Sequence, residues 1–69
     1  MKIKYFQDTD TLLIELSDEI VEETREISED LYIDFDKKGN PVSITVEHAK
    51  QKVNILELSY LRVEQPVSN

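Results

Sequence analysis

The stretch Leu31–Glu47, LYIDFDKKGNPVSITVE, constrains this chain more than any other. Leu31, Ile33 and Phe35 alternate with Tyr32, Asp34 and Asp36, and after a turn Val42, Ile44 and Val46 alternate with Ser43, Thr45 and Glu47. A period of two on both sides of a glycine-containing turn marks a half-buried β-hairpin. Opposed residues share a face of the sheet, so apolar positions should oppose apolar ones. That rule sets Phe35 against Val42, Ile33 against Ile44 and Leu31 against Val46. Lys37, Lys38, Gly39 and Asn40 are left for the turn, where Gly39 and Asn40 best tolerate positive φ. Pro41 has no N–H for the ladder and belongs at the start of its strand or on a free edge. The opposite face, with Tyr32, Asp34, Ser43 and Thr45, is expected to be the wetter one.

A first hairpin precedes it on the same plan. Ile3 and Tyr5 alternate with Lys2 and Lys4, and Leu12, Ile14 and Leu16 alternate with Leu13 and Glu15. Matched faces put Tyr5 opposite Leu12, Ile3 opposite Ile14, and Lys2 opposite Glu15, a charge pair of about 0.2–1 kcal/mol. Gln7, Asp8, Thr9 and Asp10 form the turn. Phe6 and Leu13 then lie on the face opposite Ile3 and Tyr5, with Tyr32 from the second hairpin. Such an apolar cluster is expected beneath the C-terminal helix or a second subunit.

Between the hairpins runs DEIVEETREISED, Asp18–Asp30. Val21 and Ile27 share the parity of one strand face, while Ile20 and Ile27 share one face of a helix, so the local pattern leaves both open. Glutamates favour helix weakly, and charge suits an edge strand that resists pairing. In the tail, Val46, Ala49, Val53, Leu56 and Tyr60 fall on one helical stripe. Ile55, Leu58 and Leu61 fall off it. Either the helix breaks near Asn54, which can cap a new turn with Glu57, or those three residues meet a partner. Residues 66–69 follow Pro66 and are expected to fray.

With 69 residues and no cysteine, the chain makes one domain, 1–69, that buries roughly 60% of its unfolded surface. Neither a disulfide nor a thiolate metal site can add stability, so a homodimer is the expected supplement, with Ile55, Leu58 and Leu61 as candidate contacts. Met1 leads directly into a strand-like KIKYF with no signal-peptide core, and no apolar run approaches a membrane span. A cytoplasmic protein is the expectation.

The net charge of −7 is unevenly spread. Residues 1–36 carry twelve acids against three bases, a balance of −9, and residues 37–69 carry three acids against five bases, a balance of +2. An acidic front half argues against direct nucleic-acid binding, which needs clustered Lys and Arg. Glu22, Glu23, Glu26, Glu29 and Asp30 crowd around Arg25. They form a candidate surface for a basic protein partner, or else a solvated face.

Lys2-Ile3-x-Tyr5, Asp8-x-Asp10-x-Leu12-x-Ile14-x-Leu16-Ser17, Ile33-Asp34-x-Asp36-x-x-Gly39-x-x-Val42 and Ile44-x-Val46-Glu47-x-Ala49 form an ordered set. Together they resemble the bacterial domain-of-unknown-function family 2283, over about residues 1–52. The family often has glycine where this chain has Asp30 and Ser43, and tyrosine where it has Leu13. The resemblance implies a small antiparallel sheet with a short C-terminal helix, and an extended Val21–Ile27. No catalytic residues come with it. Some members are thought to be encoded beside a small predicted toxin, which implies an antitoxin or accessory role.

Little else carries chemistry. A calcium loop needs oxygen ligands at its fifth and twelfth positions; counted from Asp34, these are Lys38 and Thr45. His48 is the lone histidine and is expected to face solvent at a strand end. No phosphate loop, activated nucleophile or metal-ligand cluster stands out, so no catalytic, cofactor or metal residue is assigned. The reading is an α+β fold: an antiparallel sheet of four or five strands, two hairpins among them, with a C-terminal helical segment. Its function is expected to be a non-enzymatic interaction module. The alternative is a small enzyme or ligand-binding protein with a cleft, lined by Asp34, His48 and Tyr32, at a homodimer interface.

Overall fold

The computed structural model describes residues 1–57 and 59–64. Five strands, β1 Lys2–Phe6, β2 Thr11–Glu15, β3 Glu23–Ser28, β4 Leu31–Phe35 and β5 Pro41–Val46, precede a short helix α1, Ala49–Lys52. All pairings are antiparallel, in the order β1-β2-β5-β4-β3. The two hairpins join through β2 and β5, and the acidic segment supplies β3 at the far edge. The expected sheet with a C-terminal helical segment is found, with five strands.

The first hairpin has the register its pattern demands, with Ile3 opposite Ile14 and Tyr5 opposite Leu12. Lys2 does oppose Glu15, but the close ion pair is the diagonal one, Lys4 Nζ to Glu15 Oε1 at 2.9 Å. In the second hairpin Leu31 opposes Val46 and Ile33 opposes Ile44, whereas Phe35 meets Pro41 instead of Val42. The turn explains this. Asp36 N–H donates to Asn40 O at 2.9 Å, Gly39 N–H donates to Asp36 O at 3.0 Å, and Gly39 alone in the turn has positive φ, +84°. That is a three-residue loop, Lys37–Gly39, of the kind that ends on a left-handed glycine. Its pairing is one residue out of step with the apolar register, and a bulge between Asp34 and Phe35 reconciles the two. Val42 becomes the extra residue, and its carbonyl accepts from Leu16 and Ser17 N–H at 2.8 and 3.2 Å.

Residues 18–30, undecided from local pattern, hold strand β3. A second bulge sits between Glu26 and Ser28, so Ile27 breaks the parity it shares with Val21. All six residues of β3 are exposed.

Among the described residues the buried apolar side chains are Leu12, Val42, Val46 and Ala49. Leu12, Val46 and Ala49 form the centre, flanked by Tyr5, Ile14, Leu31, Ile44 and Ile55. The helix therefore covers the Tyr5–Leu12–Val46 face, and the expectation that it would lie over Phe6, Leu13 and Tyr32 is corrected. Asp10 fixes this side: its carbonyl accepts from Ala49 N–H at 3.0 Å and its Oδ1 from Lys50 N–H at 3.2 Å. The wetter face is also drier than expected at its middle, since Ser43 on central β5 is buried.

The helical stripe to Tyr60 is not realised. The helix stops at Lys52 and Val53 is extended. Asn54 then closes a separate turn, its Oδ1 accepting from Leu56 N–H and its Nδ2 donating to Glu57 Oε2, both at 3.2 Å. The break near Asn54 is thus the branch the chain takes, because the Asn side chain offers the backbone a local alternative to helix. Leu58 and the expected frayed end, 66–69, lie outside the described residues.

Candidate functional site

Alternation along each strand places Tyr32, Asp34, Ser43 and Thr45 on one face. Asp34 Oδ1 accepts from Thr24 Oγ1 and Asp34 Oδ2 from Ser43 Oγ, each at 2.5 Å. Tyr32 O–H donates to Glu29 O at 3.4 Å, and its phenol pKa is raised, first by the charge of Glu26 and then by burial and further carboxylates. His48 lies elsewhere. It begins α1 with φ +51°, and its Nδ1 is 2.8 Å from Asp30 Oδ1, while Lys52 Nζ is 3.5 Å from Asp30 Oδ2. The His48 pKa is raised, chiefly by the hydrogen bond to Asp30, and that of Asp30 is lowered, chiefly by the same bond. Within one chain, Asp34 is satisfied by two hydroxyls and His48 by Asp30, so these residues do not converge on a cleft.

The acidic candidates separate into two kinds. Glu22, Glu23, Glu26 and Glu29 are exposed on or beside edge strand β3. Glu23 is held by Arg25, with Oε1 at 3.0 Å from Nε, and its pKa is lowered by that bond. Arg25 in turn lies 4.7 Å from the Phe35 ring centroid, a cation–π contact. Among the described residues no salt bridge engages Glu22, Glu26 or Glu29. Asp30 differs: its side chain is 13% exposed and ties the β3–β4 turn to α1, so it is a structural carboxylate.

The candidate dimer residues also separate. Ile55 is half-buried against its own core, Leu58 falls outside the described residues, and Leu61 is 81% exposed. Around it Leu56, Tyr60 and Val63 are 95%, 80% and 69% exposed. An open groove of about 940 Å³ lies between Tyr5 and Gln7 of the first hairpin and the Lys50–Leu56 segment.

Register brings together one set that local pattern cannot reveal. Ile3, Ile14, Ile44 and Ile33 oppose one another in turn across β1, β2, β5 and β4, and Arg25 continues the row on β3. The neighbouring row, Tyr5–Leu12–Val46–Leu31, is the one α1 packs against. The isoleucine row is only half covered, and Ile3 at its end is 47% exposed. The pairing of β2 with β5 creates this row, and no motif marks that pairing.

Among the described residues no group of three potential ligands gathers for a metal ion, and no helix is long and apolar enough to cross a membrane. In comparisons with known proteins, the family described as "Protein of unknown function (DUF2283)" matches residues 2–50. No curated protein and no solved structure matches the chain.

Proposed function

The chain belongs to the DUF2283 family, and on that footing we propose that it is a non-enzymatic protein-interaction module whose acidic edge receives a basic protein, in an antitoxin-like or accessory role. The observation that carries this reading is the exposure of Glu23 and Glu26 on edge strand β3 and of Glu22 and Glu29 beside it. An edge strand offers a basic segment two things at once, unpaired backbone groups and a negative field. The field reaches the adjacent strand, where Tyr32 lies opposite Glu26 and has its phenol pKa raised, first by that charge. Charge concentrated in this way steers encounter and weakens with salt.

The test uses the full chain as bait beside a variant with Glu22, Glu23, Glu26 and Glu29 all changed to Gln. The wild type should retain a basic protein at ~0.05 M salt and release it near ~0.5 M, where screening shortens severalfold, and the variant should retain none. Equal recovery with equal salt sensitivity, or recovery by neither, overturns the reading and leaves β3 as an edge protected against aggregation.

A further inference from the structure

Three places lie outside the acidic edge: the Asp30–His48–Lys52 cluster, the Thr24–Asp34–Ser43 hydroxyl–carboxylate row, and the half-covered isoleucine row with the exposed tail. In the first two every polar group already has a partner within the chain. The third is unsatisfied on both sides.

We infer that Leu56, Tyr60, Leu61 and Val63 are the apolar contacts of an exchanged arm, laid across the isoleucine row of a second copy of this chain to form a closed homodimer. This goes beyond the acidic-edge reading and does not depend on it. Three observations on the molecule select a second copy as occupant. The first is reciprocity. Leu56, Tyr60, Leu61 and Val63 are 69–95% exposed, while Ile14, Ile33 and Ile44 lie half-covered on a sheet face where α1 sits over the adjacent row. Each copy therefore carries one arm and one acceptor row, so two copies related by a two-fold axis satisfy both, and the assembly closes without leaving either surface over.

The second observation is length. Fully extended, the eight residues from Leu56 to Val63 reach about 26 Å. A row crossing five strands spans roughly 20 Å. The arm thus covers a whole row, from Ile3 to Arg25. The third is area. The four exposed arm side chains offer on the order of 600 Å² per copy, close to the ~800 Å² per partner of a standard interface. Ile55, packed on its own core, and the Asn54 turn, braced by Leu56 N–H and Glu57, anchor the arm at its root.

Sedimentation equilibrium and cross-linking test it together. The wild type at ~100 μM, well above micromolar dissociation constants, should sediment with the dimer mass. A variant with Leu56, Tyr60 and Leu61 changed to Ser should be a folded monomer by circular dichroism and sedimentation. The chain has no cysteine, so Leu61→Cys in one sample and Ile33→Cys in another, mixed and oxidised, should give a mixed disulfide dimer. A monomeric wild type overturns the inference. So does a Leu61→Cys sample that cross-links to itself while the mixture yields no mixed dimer, because the arms would then meet each other. A dimer that persists in the folded serine variant overturns it as well.

Discussion

Gly39 and Asp10 are both left-handed, at φ +84° and +55°, and they show where single residues were readable. Gly39 sits in a turn whose hydrogen bonds all lie within five residues, from Asp36 to Asn40. A side chain at Gly39 would meet nothing within 4 Å, so the penalty for Gly39→Val is backbone strain alone, about 1–3 kcal/mol. Thermal melting should show that loss, and an unchanged melt would place Gly39 outside a left-handed turn. Asp36 closes the same turn from its side chain, whose Oδ1 accepts from Lys38 and Asn40 N–H, both at 2.9 Å. Asp10 looks like an ordinary turn residue, yet its side chain takes Tyr5 O–H at 2.5 Å and also the Lys50 amide, forty positions away. It caps α1 in place of His48, whose side chain makes no capping bond. Asp10→Ala should cost about 1–2 kcal/mol, as loss of a helix cap does, with Asp10→Asn milder, both by urea unfolding. No local pattern encodes a cap supplied from another hairpin.

At the scale of elements, the strands with one buried face were readable and those without were not. β2 and β5 alternate because one side meets the core. β3 is exposed along its whole length, so burial imposed no period on Glu23–Ser28, and helix and strand stayed equally compatible until β4 supplied the pairing. The tail misleads in the opposite way. Its stripe from Val46 to Tyr60 has helical spacing, but the Asn54 side chain ends the helix early. What couples α1 to the β3–β4 turn is Asp30 with His48. His48 titrates above its ordinary 6.5 and Asp30 below its ordinary 3.8, each chiefly through their mutual bond. The stabilisation from His48 is complete below about pH 6.5 and is lost as pH rises through its raised folded value. That from Asp30 is complete above its ordinary value of 3.8 and is lost as pH falls through its lowered value. Relative to Asp30→Asn, the wild type should therefore gain stability between these limits and lose the His48 share of it as pH rises through the raised His48 value. Urea midpoints for the two proteins across this range check the sign, and a constant difference would mean the pair does not act as a latch.

At the scale of the whole molecule the core is small: among the described residues the buried apolar side chains are Leu12, Val42, Val46 and Ala49. Chain length alone anticipated this shortage of core. Alternation showed that the sheet has two unlike faces, but not which of them the helix would take. That choice follows from Asp10 holding Ala49 and Lys50, a contact between the first hairpin and the tail. The result is a sheet covered over one row, with the isoleucine row half-covered and Leu56, Tyr60, Leu61 and Val63 exposed. If the second copy completes the core, stability depends on protein concentration. The most direct measurement is urea unfolding at two concentrations a hundredfold apart, both above the dissociation constant. The dimer account predicts a midpoint that moves upward, with unfolding free energy rising by about 2.8 kcal/mol per mole of dimer. A midpoint that stays fixed over that range would contradict it.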